Sequence, residues 1–220
     1  MKREQQIRFE NGWAIRGAYL APLLNQLRDL PIGADCWIGY SLGGMRLLDE
    51  LQRPSVGRSK MEDGRSQRPK ALVLIASTLS FCQREAAPYG TPASQLRGIR
   101  AGLAKDPDKV LSTFATHCFA PAKVPDWPEL MVNDVEQLTA GCNELIDVDF
   151  TGESFESVRG MPVLVLHGAE DAVISPEAAV ALADALGTKP VFADGAGHAL
   201  PITHAEWCAA AITAFVECVS

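Results

Sequence analysis

Short apolar runs alternate with helical patterns along most of this chain, and this alternation restricts the possible folds more than any other feature. Four runs have the length and composition of buried strands, namely D-C-W-I-G-Y, A-L-V-L-I-A, P-V-L-V-L-H and K-P-V-F-A-D (35–40, 71–76, 162–167 and 189–194). A weaker strand candidate, Q-I-R-F-E (6–10), precedes them. Helical patterns are predicted at 17–30, 43–53, 176–186 and 204–218. The alternation predicts an α/β fold with a mostly parallel sheet and helices on both of its faces.

Residues 81–157 interrupt the alternation with helical patterns near 93–118 and 128–144 and no convincing strand. A helical insertion between two strands is most simply a cap over the carboxyl edge of the sheet, where open α/β folds bind ligands. We therefore predict a core made of residues 1–80 and 158–220, with 81–157 as the cap. Within the core, the polar and basic stretch 53–70 is predicted to be a long mobile loop.

The composition limits the class of protein. The chain has 220 residues, 47% of them hydrophobic, which is enough for one domain with a full core. It has no apolar run of about 18 residues to span a membrane, and its charged N-terminus lacks the apolar segment of a secretory signal. Six cysteines without a C-x-x-C pair or metal-ligand spacing predict reduced thiols in a cytoplasmic protein. We expect a monomer with no metal, no cofactor, no redox role and no membrane partner.

Charge is segregated along the chain, whose net charge is −7. Twelve of the twenty basic residues lie between Arg53 and Lys123, whereas Val124 to Ser157 contains nine acidic residues and no basic one. The negative total argues against nucleic acid as a partner. The basic segment is interpreted either as solvated loops and helix faces or as a docking surface for an acidic partner.

The pentapeptide G-Y-S-L-G (39–43) follows a predicted strand and opens a predicted helix. In this context G-x-S-x-G forms a nucleophile elbow, whose turn is too sharp for side chains at Gly39 and Gly43. Ser41 would then stand clear of the sheet as a nucleophile. The same pentapeptide is also compatible with an ordinary strand-to-helix turn.

A nucleophilic serine needs a base that accepts its proton. In a fold of this kind the chain order is serine, acid, histidine, each in a loop after a strand. Of the four histidines, only His198, in G-A-G-H-A-L, follows the last predicted strand. His117 lies in the predicted cap, His167 ends a predicted strand, and His204 begins the last predicted helix. His198 is therefore the candidate base.

The acid that orients the base should follow the preceding strand, where Glu170 and Asp171 are available. Asp171 is preferred because the apolar A-V-I after it would turn it inward, whereas Glu170 is expected to be exposed. The alternative is that Asp171 is only a turn residue before the helix that Ser175 and Pro176 begin.

Three segments together resemble the α/β-hydrolase family: G-Y-S-L-G-G, L-V-L-H-G-A-E-D-A-V-I-S-P and G-A-G-H-A-L-P-I-T-H-A-E-W-C. A narrower resemblance is to the carboxylesterases that hydrolyse pimeloyl-acyl-carrier-protein methyl ester in biotin synthesis. It rests on A-S-T-L-S-F-C-Q-R-E, G-C-N-E-L-I-D-V-D-F and H-A-L-P-I-T-H-A-E-W-C. The resemblance covers most of the chain from about residue 18 and implies a capped α/β-hydrolase fold with serine esterase activity and no cofactor.

Carried over residue by residue, the resemblance implies Ser41 as nucleophile, His198 as general base and acid, and Asp171 as its orienting partner. It places the oxyanion hole at the backbone N–H of Leu42 and at that of Trp13, in an N-G-W loop where the family has an H-G-W-like one. Such donors are typically worth roughly 3–4 kcal/mol of transition-state stabilisation.

The resemblance also implies roles for the cap. The segment F-A-T-H-C falls where these esterases line their acyl pocket, which implies substrate contacts from Phe114, Ala115, Thr116, His117 and Cys118. Cap arginines of the family grip the acidic acyl carrier protein, and the comparable residues here are Arg97, Arg100, Lys105 and Lys109. An acyl carrier protein bearing the acyl substrate is thus the implied partner, with small esters as further substrates.

The N-terminal part departs from the family pattern. Only 28 positions separate Trp13 from Ser41, so that one strand and its D-x-P-G-x-G-x-S loop are predicted to be missing. Asn11 also stands where the family more often has histidine, and N-G-W could be an ordinary strand end. Two alternatives to the specific esterase are a less specific hydrolase of small acyl esters or thioesters and a non-catalytic, hydrolase-like binding protein.

Overall fold

A computed structural model describes residues 6–30, 35–53 and 68–219 of the chain. Its sheet has five parallel strands in the order β1-β2-β3-β4-β5. The strands are Gln6–Glu10, Asp35–Tyr40, Ala71–Ile75, Val163–Gly168 and Pro190–Ala193. All four strongly predicted strands are therefore present, and the weak candidate at 6–10 is β1. The prediction of an α/β fold with a parallel sheet is confirmed.

Nine α-helices are present in the described part of the chain. They are α1 (Ala21–Gln26), α2 (Leu42–Gln52), α3 (Ala93–Leu103), α4 (Pro107–Phe119), α5 (Trp127–Leu130), α6 (Val135–Asp147), α7 (Pro176–Ala185), α8 (Leu200–Thr203) and α9 (Ala205–Val219). Short 3-10 helices occupy Gly17–Leu20, Leu27–Asp29 and Glu156–Val158. The helix predicted at 17–30 is therefore a short α-helix between two 3-10 turns.

Both faces of the sheet are covered. Every residue of β3 is buried, although successive side chains of a strand point to opposite faces. α1 packs against α9, which lies on β3 and β4, whereas α2 packs on β1, β2 and β3. The sheet is thus the middle layer of the protein, and its carboxyl edge is the place where loops from several strands can meet.

β1 and β2 are direct neighbours, with Gln6 opposite Asp35 and Glu10 opposite Gly39. In the described residues between them there is no strand, which agrees with the shortened N-terminal part that the sequence predicts. One consequence is that the loop after β1 and the turn after β2 leave the sheet side by side.

The segment between β3 and β4 contains α3 to α6. α3 and α4 are separate because Pro107 fixes the start of α4 and Asp106 caps it by accepting a hydrogen bond from the Lys109 N–H. α6 begins in the same way at Asp134, whose side chain accepts from the Gln137 N–H. α3 packs on α6 and on α4, and α4 packs on α5, so that these helices form one group.

Most of the loop predicted at 53–70 lies outside the described residues. Within the described ranges, none of the helices has the length and apolar character of a membrane span, and no cluster of three or more His, Cys, Asp or Glu side chains could hold a metal ion. The six cysteines are all free, and five of them are buried.

Candidate active site

Ser41 lies in a sharp turn between β2 and α2, with φ 53° and ψ −122°. This positive φ is unusual for a residue with a side chain and marks a strained turn. A Cβ atom on Gly39 would lie 2.4 Å from the Gly44 Cα, and one on Gly43 would lie 2.2 Å from the Glu10 carbonyl oxygen. Only glycine fits at either position. The backbone N–H of Ser41 donates to the Ile75 carbonyl at 2.8 Å, which ties the turn to β3.

The structure brings the three predicted triad residues together. His198 Nε2 lies 3.1 Å from Ser41 Oγ, and His198 Nδ1 lies 2.8 Å from Asp171 Oδ2. These distances are within hydrogen-bond range, so the three side chains form one continuous chain of hydrogen bonds. Ser41, Asp171 and His198 follow β2, β4 and β5 respectively, in the order that the sequence predicts.

Asp171 is held by its own loop. Its Oδ1 atom accepts hydrogen bonds from the N–H groups of Val173 at 2.8 Å and Ile174 at 2.9 Å. Burial alone would raise the pKa of this carboxyl, but the nearby His198 ring and these hydrogen bonds lower it below its usual value. Asp171 is therefore an anion at neutral pH, and its Oδ2 atom faces the histidine. The competing candidate, Glu170, is exposed.

His167, near the end of β4, also reaches this carboxylate. Its Nε2 atom lies 3.3 Å from Asp171 Oδ2 and 2.9 Å from the Ile174 carbonyl oxygen. The side chain is fully buried, and its ring packs edge-on against Phe192 of β5. Sequence reasoning placed this histidine only at a strand end. The sequence does contain a usable signal: His167 lies four residues before Asp171, at the end of the strand whose following loop carries the acid.

The predicted oxyanion loop lies beside the nucleophile. A Cβ atom on Gly12 would be 2.9 Å from the Ser41 Cβ. In the described part of the chain, the backbone N–H groups of Trp13 and Leu42 have no recorded acceptor. The Trp13 side chain is fixed by an Nε1–H bond of 2.8 Å to the Leu138 carbonyl of α6 and by edge-on contact with Phe114. Both predicted donors are thus without a backbone acceptor in the described residues, one directly after Ser41 in the chain and the other directly after Gly12.

A cavity of about 450 Å³ opens beside Ser41 and His198. Its volume is in the usual range for small-molecule sites. Its walls come mainly from the helices between β3 and β4 and from the loop after β4, and they are largely apolar: Trp13, Phe81, Leu96, Ile99, Val110, Phe114, Leu145 and Val173. Polar lining residues are few, namely Thr91, Gln95, Lys109, Thr113 and His117.

Only part of the predicted F-A-T-H-C contact set lines this cavity. Phe114 and His117 do. Ala115 and Cys118 are buried on another side of α4, and Thr116 is exposed with its hydroxyl bonded to the Ser112 carbonyl. The other three do not face the cavity because a helix turns by about 100° per residue, so that only positions three or four apart share a face.

The four predicted carrier contacts are exposed on α3 and α4 and in the turn between them. Arg97 and Lys105 have no recorded side-chain partner within the described ranges, whereas Arg100 donates to Asn143 Oδ1 of α6 at 2.7 Å. Lys109 differs from the other three because it also lines the cavity. Among the lining residues that the structure describes, it is the one Lys, Arg, Asp or Glu.

A model described as the alpha/beta hydrolase family matches residues 12–211, whereas no curated protein sequence matches the chain. An esterase from Exiguobacterium antarcticum is similar in structure, with 17% identity, a TM-score of 0.81 and coverage of 99% of this chain and 93% of that one.

Two other proteins of similar structure are named for activities other than that of an esterase. A bromoperoxidase from Bacillus anthracis has 16% identity and a TM-score of 0.76, covering 97% of this chain and 92% of that one. An enol-lactonase from Burkholderia xenovorans LB400 has 15% identity and a TM-score of 0.71, covering 97% and 91%. Identities this low establish a shared fold, and the reaction has to be argued from the site itself.

Proposed function

The chain belongs to the alpha/beta hydrolase family, and we propose that it is a serine carboxylesterase with Ser41 as nucleophile, His198 as general base and acid, and Asp171 as the orienting anion. The observation that carries this proposal is the hydrogen-bond chain from Asp171 through His198 to Ser41, which ends at the wall of a largely apolar cavity. An apolar cavity beside a serine nucleophile suits an ester with an apolar acyl chain.

In the proposed mechanism, Ser41 Oγ attacks the ester carbonyl carbon while His198 Nε2 takes the hydroxyl proton. The negative charge that develops on the carbonyl oxygen is held by the backbone N–H groups of Leu42 and Trp13. The C–O bond to the alcohol then breaks, and His198 returns the proton to the leaving oxygen. Water, deprotonated by the same histidine, releases the acid from the acyl-enzyme.

The charge of Asp171 supports this cycle. His198 becomes a cation in each transition state, and a buried carboxylate 2.8 Å from its Nδ1 atom stabilises that cation. Because Asp171 Oδ2 accepts from Nδ1–H, Nε2 is left without a proton and can accept the one from Ser41. The tautomer that the reaction requires is therefore set by the Asp171 contact.

The first test is the hydrolysis of p-nitrophenyl esters by Ser41→Ala, with Ser112→Ala on α4 as the matched control. We expect Ser41→Ala to lose measurable turnover and Ser112→Ala to retain it. A fluorophosphonate probe should label the wild-type protein and not Ser41→Ala. Retained turnover in Ser41→Ala would refute the mechanism, and a folded wild-type protein that neither reacts nor labels would indicate a non-catalytic binding protein.

For the substrate, we propose the methyl ester of a pimeloyl chain held by acyl carrier protein, as in biotin synthesis. Its support is the sequence resemblance, the apolar cavity, and four exposed basic side chains on α3, on α4 and in the turn between them, one of which, Lys109, lines the cavity. An acidic carrier would meet these cations while its acyl chain enters the cavity. Methanol and the free carboxylate on the carrier-bound chain would be the products.

The second test separates this substrate from small esters in general. Charge reversal at Arg97 and Arg100 should lower kcat/KM for the carrier-linked methyl ester and spare p-nitrophenyl butyrate, with Arg159→Glu as the control. Arg159 is exposed and pairs with Glu156, outside the basic group. Equal rates on the carrier-linked ester in all variants would instead favour a less specific esterase or thioesterase. Growth of biotin-requiring cells that lack their own esterase, when given this chain, would support the pathway.

A further inference from the structure

We infer that His167 is a positioning residue for the triad, sharing Asp171 Oδ2 with His198 and so setting how strongly that oxygen acts on the catalytic histidine. This inference rests on the proposed function. It begins from a geometric fact: two imidazole rings approach one oxygen atom, at 2.8 Å from His198 Nδ1 and 3.3 Å from His167 Nε2.

The tautomer of His167 follows from its neighbours. Its Nε2 atom faces two oxygens that can only accept, the Ile174 carbonyl at 2.9 Å and the ionised Asp171 carboxylate. Nε2 must therefore carry the proton and donate it. Nδ1 is buried and has no hydrogen-bond partner within the described residues. A proton there would leave a buried charged donor without an acceptor, so the ring stays neutral.

Four N–H groups lie around the carboxylate of Asp171. Oδ1 accepts from those of Val173 and Ile174, and Oδ2 accepts from His198 Nδ1. The Nε2–H group of His167 donates to the Ile174 carbonyl and lies 3.3 Å from the same Oδ2 atom. The His167 bond also closes the loop from the end of β4 to Ile174. This closure fixes the side-chain rotamer of Asp171 and directs a single oxygen at His198.

The second imidazole has an electrostatic consequence. The positive end of an N–H dipole 3.3 Å from a carboxylate oxygen stabilises the negative charge there and makes that oxygen a weaker acceptor toward any other donor. His167 thereby moderates the attraction of Asp171 for a protonated His198. Without His167, the same carboxylate would attract the protonated, inactive form of His198 more strongly.

Few other titratable groups face this cluster. Tyr40 of β2 and Cys118 of α4 lie near Asp171, and both stay neutral because burial raises the pKa of Tyr40 well above 10.0 and that of Cys118 to about 12. Phe192 of β5, which packs on the His167 ring, does not titrate. A difference in pH profile between variants at position 167 can therefore be assigned to the change at that position, because His117 of the cavity wall is the same in all of them.

The test compares two substitutions of similar length. His167→Gln keeps an N–H donor at about the position of Nε2, and His167→Met removes it. We expect the acid limb of the kcat/KM profile to coincide with wild type in His167→Gln and to move to higher pH in His167→Met. Identical profiles in the two variants would overturn the inference, because a purely structural role depends on filling space and not on the donor.

A second measurement needs no variant and no activity. Nitrogen-15 NMR of the wild-type protein with labelled histidine should show one ring that keeps the neutral Nε2–H form from pH 8 down to pH 5. A set of spectra in which all four rings become protonated above pH 5 would overturn the inference even if both variants failed to fold. If Ser41→Ala keeps its turnover, the proposed function fails; if only the NMR or the paired profiles disagree, the role of His167 fails alone.

Discussion

At Gly43 the nucleophile helix passes close to the end of β1 and the proposed oxyanion loop, and Gly43→Ala tests whether this approach sets the rate. A Cβ atom there would lie 2.2 Å from the carbonyl oxygen of Glu10 and 2.7 Å from that of Asn11. Ordinary van der Waals contact begins near 3.4 Å. The two segments must therefore separate by about 1 Å.

The movement should fall on β1 and the loop after it. In the described sheet, β1 is an edge strand paired only with β2, whereas α2 packs on three strands. The N–H of Trp13 would then move away from the oxyanion while the triad stays in place. A displacement of about 1 Å is worth on the order of 10²-fold in rate, and loss of one oxyanion donor about 10²–10³-fold in kcat.

The assay is steady-state hydrolysis of p-nitrophenyl butyrate, with unfolding by urea measured on the same samples. We expect Gly43→Ala to lower kcat about 10²-fold with KM little changed, and to lose roughly 1–3 kcal/mol of unfolding free energy from overpacking. Gly17→Ala is the matched control because a Cβ there meets nothing within 4 Å. A folded Gly43→Ala protein with wild-type kcat would refute the assignment of Trp13 to the oxyanion hole.

Three further predictions concern the triad and the cavity. Asp171→Asn should lower kcat by about 10⁴-fold. The amide nitrogen of Asn cannot accept a hydrogen bond from His198, which must then adopt the tautomer that cannot take the Ser41 proton. A stopped assay on ester substrates checks this, and wild-type-like turnover would contradict it. Phe114→Ala should raise KM for longer acyl chains more than for acetate esters, since Phe114 lines the cavity; a chain-length series measures the effect. Burial lowers the pKa of His167 from 6.5, so that at acid pH the unfolded chain binds a proton that the folded protein does not. The free energy of unfolding should therefore fall as the pH drops below about 6.5. Urea titrations should show that this free energy depends less on pH in His167→Gln than in the wild-type protein.

Much of the fold could be predicted because buried parallel strands are continuous apolar runs. β2, β3, β4 and β5 were each predicted to within one or two residues. The predicted triad residues also meet in space, because a parallel sheet brings the carboxyl ends of its strands to one edge whatever their separation in sequence. The order of these residues in the chain and their positions after strand ends are therefore sufficient to predict that they meet.

The remaining features depend on which side of an element a residue faces. The pattern at 93–118 did not show that Asp106 and Pro107 divide it into two helices, so the faces of α4 could not be assigned. His167 was overlooked for a related reason. A histidine at the end of an apolar strand has no periodic signal, and its contact with Asp171 depends on a loop that folds back within seven residues.

The triad residues and the proposed oxyanion donor Trp13 are held by different parts of the sheet, because β1 pairs directly with β2. Ser41 and Asp171 follow the inner strands β2 and β4. His198 follows β5, the other edge strand, but its loop is tied to the loop after β4 by a hydrogen bond of 2.9 Å from the Glu170 N–H to the Ala196 carbonyl. Trp13 follows β1, which pairs only with β2 in the described sheet. Edge strands are the first to fray as temperature rises. Partial melting of β1 would leave the three side chains assembled and the charge on the reacting oxygen unsupported. Heat inactivation is thus expected to begin at this edge, before the protein as a whole unfolds.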